Sequence, residues 1–160
     1  MDDRSVLLDT NVLLEATAPA RDLHRQALGV FDHWPNRGVR LCVSGQVLRE
    51  YLVVATRDEA VNGLGLAVAD ALANVASFAD RCRFPPETRA VATRLRQLLR
   101  DVECSGKQIH DANLVATGLV HGVTALVTAN AQDFERFGSL VTVRRLGEPL
   151  GEEHGRIGAP

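Results

Sequence analysis

Aromatic residues are scarce in this chain, at 4%, which leaves few platforms on which unpaired bases could stack. Lysine is scarcer still: of 18 basic residues only Lys107 is a lysine. No sign of charge dominates, and the formal net charge of −2 argues against a broad basic footprint for nucleic acid. A cluster of acids at a metal site would lower that count locally without removing a basic face elsewhere. The three cysteines, Cys42, Cys82 and Cys104, are odd in number and never form a CxxC pair. That speaks against a disulfide framework or a zinc site and for a reducing compartment. The start, Met1-Asp2-Asp3-Arg4, has no basic segment followed by a long apolar run, so neither a signal peptide nor a membrane span is expected and the cytoplasm is the expected location. No internal repeat and no linker is visible. A length of 160 residues suits one domain with a proper core and is short for two.

What is present is an alternation of short apolar runs with helical patterns. Val6-Leu7-Leu8 lacks strand-type alternation and suits a strand covered on both faces of a parallel sheet. Thr10-Asn11 can open a helix from Val12 towards Pro19. Asp22 to Trp34 reads as a second helix with Leu23, Ala27, Val30 and Phe31 on one face. Arg40 to Val43 is a strand, after which Ser44 can cap a helix running to about Arg57. Leu66 to Ala79 is an Ala-rich helix with Val68, Leu72, Val75 and Ala79 in register, and Cys82 to Phe84 is a candidate short strand. Glu87 to Asp101 is helical with Val91, Leu95, Leu98 and Val102 inward and an arginine face of Arg89, Arg96 and Arg100. A further helix from Ile109 buries Ile109, Ala112, Ala116 and Leu119 and closes at His121-Gly122. Ala125 to Thr128 is another apolar strand, and Val141 to Arg144 a candidate edge strand. Strands alternating with helices give an α/β fold around a mostly parallel sheet flanked by helices on both faces.

The acids fall at telling places. Asp9 stands where the first strand ends, and ligands in open α/β sheets sit outside the carboxyl ends of strands. An ionised Asp beside a buried strand is costly without a metal, an Arg or another partner. As a lone feature Asp9 would be read as a helix cap. Glu50 lies at the edge of an apolar arc of Val47, Leu48, Tyr51, Leu52, Val54 and Ala55, and so is held near the protein body. Asp111 opens a late helix, a favourable place for an acid. Asn130 and Asp133 follow the apolar strand 125–128. A parallel sheet would bring the ends of the first and that later strand to one edge, where several carboxylates converge.

Four stretches in order resemble PIN-domain ribonucleases of the VapC toxin type: Leu8-Asp9-Thr10-Asn11-Val12-Leu13, Val47-Leu48-Arg49-Glu50-Tyr51, Ile109-His110-Asp111-Ala112-Asn113-Leu114-Val115-Ala116, and Leu126-Val127-Thr128-Ala129-Asn130-Ala131-Gln132-Asp133-Phe134. The resemblance implies a PIN-like (flavodoxin-like) domain over residues 1–146, leaving 147–160, with four glycines and two prolines, as a flexible tail. It also implies a Mg²⁺- or Mn²⁺-dependent endoribonuclease that cuts single-stranded or loop RNA by metal-activated water, a small antitoxin as partner, and a homodimer. Asp9, Glu50 and Asp111 match the family's most regular acids and its metal ligands. Asn130 stands where members carry Asp or Asn, and Asp133 precedes the Phe of the same motif, so either can be the fourth site residue. Asn130 offers only a neutral oxygen, so one firm metal site is expected, with a second filling when substrate phosphate is present. Thr10, Asn11 and Thr128 are placed to orient carboxylates or the attacking water.

Such a kit dispenses with a protein nucleophile, since a metal lowers the pKa of bound water and offsets charge on phosphorus. His110 beside Asp111 points about a third of a turn away on a helix, which makes it first a surface group or one supporting the carboxylates, and second a substrate contact. Arg49 can hold phosphate or pair with an acid. A phosphohydrolase of the haloacid-dehalogenase type would use Asp9 as nucleophile and wants a second Asp two residues on, where this chain has Asn11. A catalytically weak RNA-binding module of the same fold remains the alternative from a different class.

Overall fold

A four-residue apolar strand with no polar side has to be covered above and below, and β1 (Ser5–Leu8) is buried at every position. The computed structural model describes residues 4–150. Beside β1 lie β2 (Arg40–Cys42) and β3 (Ala125–Thr128), with β4 (Thr142–Arg145) at the edge, in the order β2-β1-β3-β4. Every pairing is parallel: Leu7 is opposite Cys42 on one side and Leu126 on the other, and Ala125 is opposite Thr142. The chain therefore leaves β1 to one side and returns on the other, which opens a crevice at the carboxyl ends of β1 and β3. The short strand expected at Cys82–Phe84 is a single parallel bridge from Arg83 to Cys42. Residues 151–160 of the expected tail lie outside the described residues.

The helices are α1 (Thr10–Thr17), α2 (His24–His33), α3 (Gly45–Thr56), α4 (Val68–Arg81), α5 (Arg89–Asp101) and α6 (Gln108–Val120). Helix α1 packs on α2 and α3, α3 carries α4, and α5 pairs with α6. Ser44 caps α3 as its position suggests, accepting from the Val47 amide at 3.2 Å. At the centre of the first group the Tyr51 side chain is fully buried. Thr17 Oγ1 donates to the Leu13 carbonyl, so it accepts from the Tyr51 hydroxyl at 2.9 Å, and that hydroxyl accepts from Asn74 Nδ2 at 3.0 Å. One hydroxyl thus links α1, α3 and α4.

Two helix faces differ from the sequence expectation. In α4, Val68 and Leu72 are 62% and 51% exposed, and the buried positions are Ala71 and Phe78. The helix is turned so that Phe78 meets the rings of Phe31 and Tyr51, at 5.3 and 5.4 Å between centroids, and Asn74 reaches the tyrosine hydroxyl. A large ring and a polar anchor outweigh two aliphatic side chains. In α6, Ile109 is 38% exposed, while Leu114 and Val115 are buried with Ala112 and Ala116. Its first turn lies at the crevice, and only the later turns are enclosed around their girth.

Gly118 shows how closely α6 approaches the sheet. A Cβ there would lie 2.5 Å from the Val123 carbonyl oxygen and 2.8 Å from Leu7 Cδ1. Alanine is worth up to about 1 kcal/mol over glycine in a helix, whereas overpacking of this kind costs about 1–3 kcal/mol. Gly118→Ala should therefore lower stability by about 1–2 kcal/mol, read by chemical denaturation; a stabilised variant would mean that α6 can shift freely on β1.

Candidate active site

The sheet ladder runs one residue past β1, because the Asp9 amide still donates to the Val127 carbonyl at 3.0 Å. Asp9 is thereby fixed beside the end of β3, and its side chain turns to cap α1. Oδ1 accepts from the Thr10 amide at 2.7 Å; Oδ2 accepts from Thr128 Oγ1 at 2.7 Å and from Asn11 Nδ2 at 3.1 Å. Thr128 Oγ1 itself accepts from Asn11 Nδ2 and from the Asn130 amide, while Asn11 Oδ1 accepts from the Ala129 amide at 2.9 Å. Asn11 and Thr128 together bracket the carboxylate and join the start of α1 to the end of β3. Burial is the main influence on Asp9 and raises its pKa; the bonds from Thr128 and Thr10 pull it back, and the charges of Glu50 and Asp133 push it up again.

Glu50 reaches the same crevice from α3. Its Oε2 accepts from Thr10 Oγ1 and its Oε1 from Gln46 Nε2, each at 2.8 Å. Asp111, in the first turn of α6, is different: among the described residues none donates a hydrogen bond to its carboxylate. Its pKa is pushed up to about 7, first by burial and then by the charges of Asp9, Asp133 and Glu50, with Arg136 acting the other way. Asp133 is exposed, yet its charge is felt at both Asp9 and Asp111. Asn130 is exposed and contributes only its backbone amide to the bracket, with no side-chain cap bond. Of the two candidates for a fourth position, Asp133 is the one whose charge joins the cluster.

Arg49 pairs with Glu87 at 3.3 Å, on the exposed side of α3. His110 is largely exposed with Nδ1 3.7 Å from Glu50 Oε1. Thr10 bonds Glu50, and Asn11 and Thr128 bond Asp9. Two residues went unread in the sequence. Gln46 is buried and bonds Glu50, the His110 carbonyl and Asn113, whose Nδ2 donates to Gln46 Oε1 at 2.6 Å. Its signal was its spacing: Gln46 precedes Glu50 by one helical turn, the separation at which side chains meet.

The donor set is all oxygen, which suits a hard divalent cation taking one or two carboxylates and completing its shell with water and phosphate oxygens. Mutual repulsion among Asp9, Glu50 and Asp111, with Asp111 lacking any hydrogen-bond donor, is the electrostatic condition that a cation relieves. Among the described residues no three acidic, histidine or cysteine side chains stand close enough to grip one ion together.

The PIN-domain sequence profile matches residues 6–140. No curated protein sequence matches the chain. Among solved structures, the fold is similar to DNA-bound VapBC from Salmonella typhimurium, with a TM-score of 0.63 at 21% identity over 89% of this chain and 98% of that one. It is also similar to the sarcin-ricin loop cleaving toxin VapC20 of Mycobacterium tuberculosis, with a TM-score of 0.61 at 16% identity over 84% and 94%. FitAcB from Neisseria gonorrhoeae gives 0.58 at 21% identity over 86% and 95%. At these identities the likeness is one of fold.

Proposed function

This chain belongs to the PIN-domain family, and from that premise we propose that it is a Mg²⁺- or Mn²⁺-dependent endoribonuclease that cuts single-stranded or loop RNA, serving as the toxin of a toxin–antitoxin pair. The observation that carries the reading is the convergence of Asp9, Glu50 and Asp111, from three separate elements, at the carboxyl end of a parallel sheet, with no nucleophile–base pair among them. Two of Asp9, Glu50 and Asp111 at a time would hold the cation, with water and phosphate oxygens completing its shell, and the charge of Asp133 adds to theirs. A bound divalent cation supplies Lewis acidity, lowering the pKa of water and offsetting charge on the scissile phosphate.

The chain's own residues do the positioning. Thr128, Asn11 and the Thr10 amide hold the Asp9 carboxylate in place at the carboxyl end of β1 and leave about one of its four acceptor sites free. Thr10 uses its hydroxyl on Glu50, so one residue at the start of α1 fixes two acids. Asn11 cannot deliver a proton to a leaving group, since its amide does not titrate, and both of its ends are engaged in the bracket. That weighs against the aspartyl-phosphate alternative. Partner binding follows from the same reading: structures of similar fold are described as toxin–antitoxin complexes, and the exposed Val53, Val68 and Leu72 on α3 and α4 support a protein partner, whether an antitoxin or a second copy. Among the described residues no helix is long and apolar enough to cross a membrane.

The test is cleavage of a mixed set of structured RNAs by the purified chain. Activity should require Mg²⁺ or Mn²⁺, stop with excess EDTA, and leave a 5′-phosphate. Undiminished cleavage in EDTA, or turnover of a phosphate monoester through covalent phosphate on Asp9, would refute the reading.

A further inference from the structure

Gln46 is 6% exposed, on the inner side of α3. Its amide orientation is dictated by its partners: Nε2 faces two acceptors, Glu50 Oε1 at 2.8 Å and the His110 carbonyl at 2.9 Å, and Oε1 faces a donor, Asn113 Nδ2 at 2.6 Å. Both amide hydrogens are used, and a flipped amide would set donor against donor. The side chain therefore has one orientation, and it spans two helices.

The choice of acceptors is informative. The Glu50 side chain is 36% exposed, so water is available to it, and its hydration needs no buried amide. Holding a long acidic side chain in one rotamer costs conformational entropy. The other acceptor is the carbonyl of the residue that precedes Asp111, in the first turn of α6. One amide thus sets both the direction of the Glu50 carboxylate and the distance between the helix bearing Glu50 and the turn bearing Asp111.

Resting on the metal-dependent reading of the site given above, we infer that Gln46 is a positioning residue that presets Glu50 against Asp111 for cation binding, with Asn113 holding the Gln46 amide in register. It does not touch substrate. Removing its donor leaves Glu50 Oε1 with only the longer His110 contact at 3.7 Å, the other oxygen still held by Thr10, and the cation then has to order that carboxylate itself.

The experiment compares the parent chain with Gln46→Met, which keeps length and burial but removes all three bonds. Thermal melts are titrated with Mn²⁺ alone, without RNA, beside steady-state cleavage. The Mn²⁺ concentration giving half the full stabilisation should rise about 10- to 100-fold in Gln46→Met, in the range seen when groups behind metal ligands are removed. At low Mn²⁺ kcat should fall in parallel and recover as Mn²⁺ is raised, while KM for RNA stays within about twofold. A folded Gln46→Met chain with the parental Mn²⁺ midpoint overturns the inference. Should that variant fail to fold, Asn113→Ala decides: it leaves Gln46 in place and frees its carbonyl, and is expected to raise the midpoint severalfold. An unchanged midpoint there overturns the inference equally. A parent chain that gains no stability from Mn²⁺ and cuts no RNA brings down the metal-nuclease reading itself, a result distinct from variants that match a responsive parent.

Discussion

Asp111→Asn is expected to lower RNA cleavage by at least about a hundredfold while making the metal-free protein more heat-resistant at neutral pH. The two effects have one origin. The Asp111 carboxyl titrates at about 7 in the folded chain, against an ordinary value of 3.8, because burial and then the charges of Asp9, Asp133 and Glu50 oppose its ionisation. Below 3.8 the group is protonated in both folded and unfolded chains and contributes nothing. As pH rises from there to about 7, the unfolded chain has released the proton and the folded chain still holds it, so folding becomes progressively less favourable. Above about 7 the whole cost is present. The metal-free parent should therefore melt at lower temperature at pH 8 than at pH 5, and Asp111→Asn should remove much of that slope. Because no described residue donates to this carboxylate, an amide of the same shape breaks no hydrogen bond there. Added Mg²⁺ should raise the parent's melting temperature by mass action and leave the variant's nearly unchanged. Differential scanning fluorimetry across pH, with and without Mg²⁺, reads all of this. A variant that melts lower than the parent at pH 8 without metal, and still cuts RNA, would make Asp111 a structural residue.

Thr128→Val should cost more stability than any other isosteric change at the site, about 3 kcal/mol. The hydroxyl is fully buried, donates to Asp9 and accepts from Asn11 Nδ2 and from the Asn130 amide. Valine fills the same volume and meets none of these needs. A buried carboxylate loses its shortest side-chain donor, and each stranded group carries a desolvation penalty of about 1–3 kcal/mol. The Asp9 carboxyl, already raised by burial, would be raised further, since the Thr128 bond is the largest influence lowering it. Cleavage should fall about 10- to 100-fold per folded molecule, as the bracket no longer aims Asp9. Thr128→Ser keeps the hydroxyl and should restore most of both losses. Urea denaturation of the three chains beside their cleavage rates is the measurement, and a Thr128→Val protein of parental stability would show that the hydroxyl is dispensable.

What could be read from the chain alone was whatever depends on local order. Val6-Leu7-Leu8 announces a doubly covered strand, Ser44 a helix start and His121-Gly122 a helix end, because these signals act within a few residues. The places of Asp9, Glu50 and Asp111 in the fold were legible because each sits at an element boundary or stripe edge where an acid is conspicuous. Helix α4 was misjudged for the opposite reason. Periodicity says that a stripe exists but not what lies across from it, and Phe78 and Asn74 take their orientation from Phe31 and Tyr51, which are remote in sequence. Ile109 falls on the same periodic stripe as Ala112, Ala116 and Leu119, yet it lies in the first turn, which faces the crevice. Gln46 escaped notice because a glutamine among apolar neighbours looks like ordinary helix surface until α6 is laid beside it.

The bracket that fixes Asp9 also says when, during synthesis, such a site can first exist. Thr128 and Asp9 are 119 positions apart, and Asn11 meets the Ala129 amide over 118. Asp9 is made 119 positions before the threonine that steadies it. Until then the nascent chain carries Asp9, Glu50 and in its last stretch Asp111 without the bracket. A ribosome therefore adds 119 positions of chain beyond Asp9 before the bracket can close, and a chain that stops before β3 never forms it.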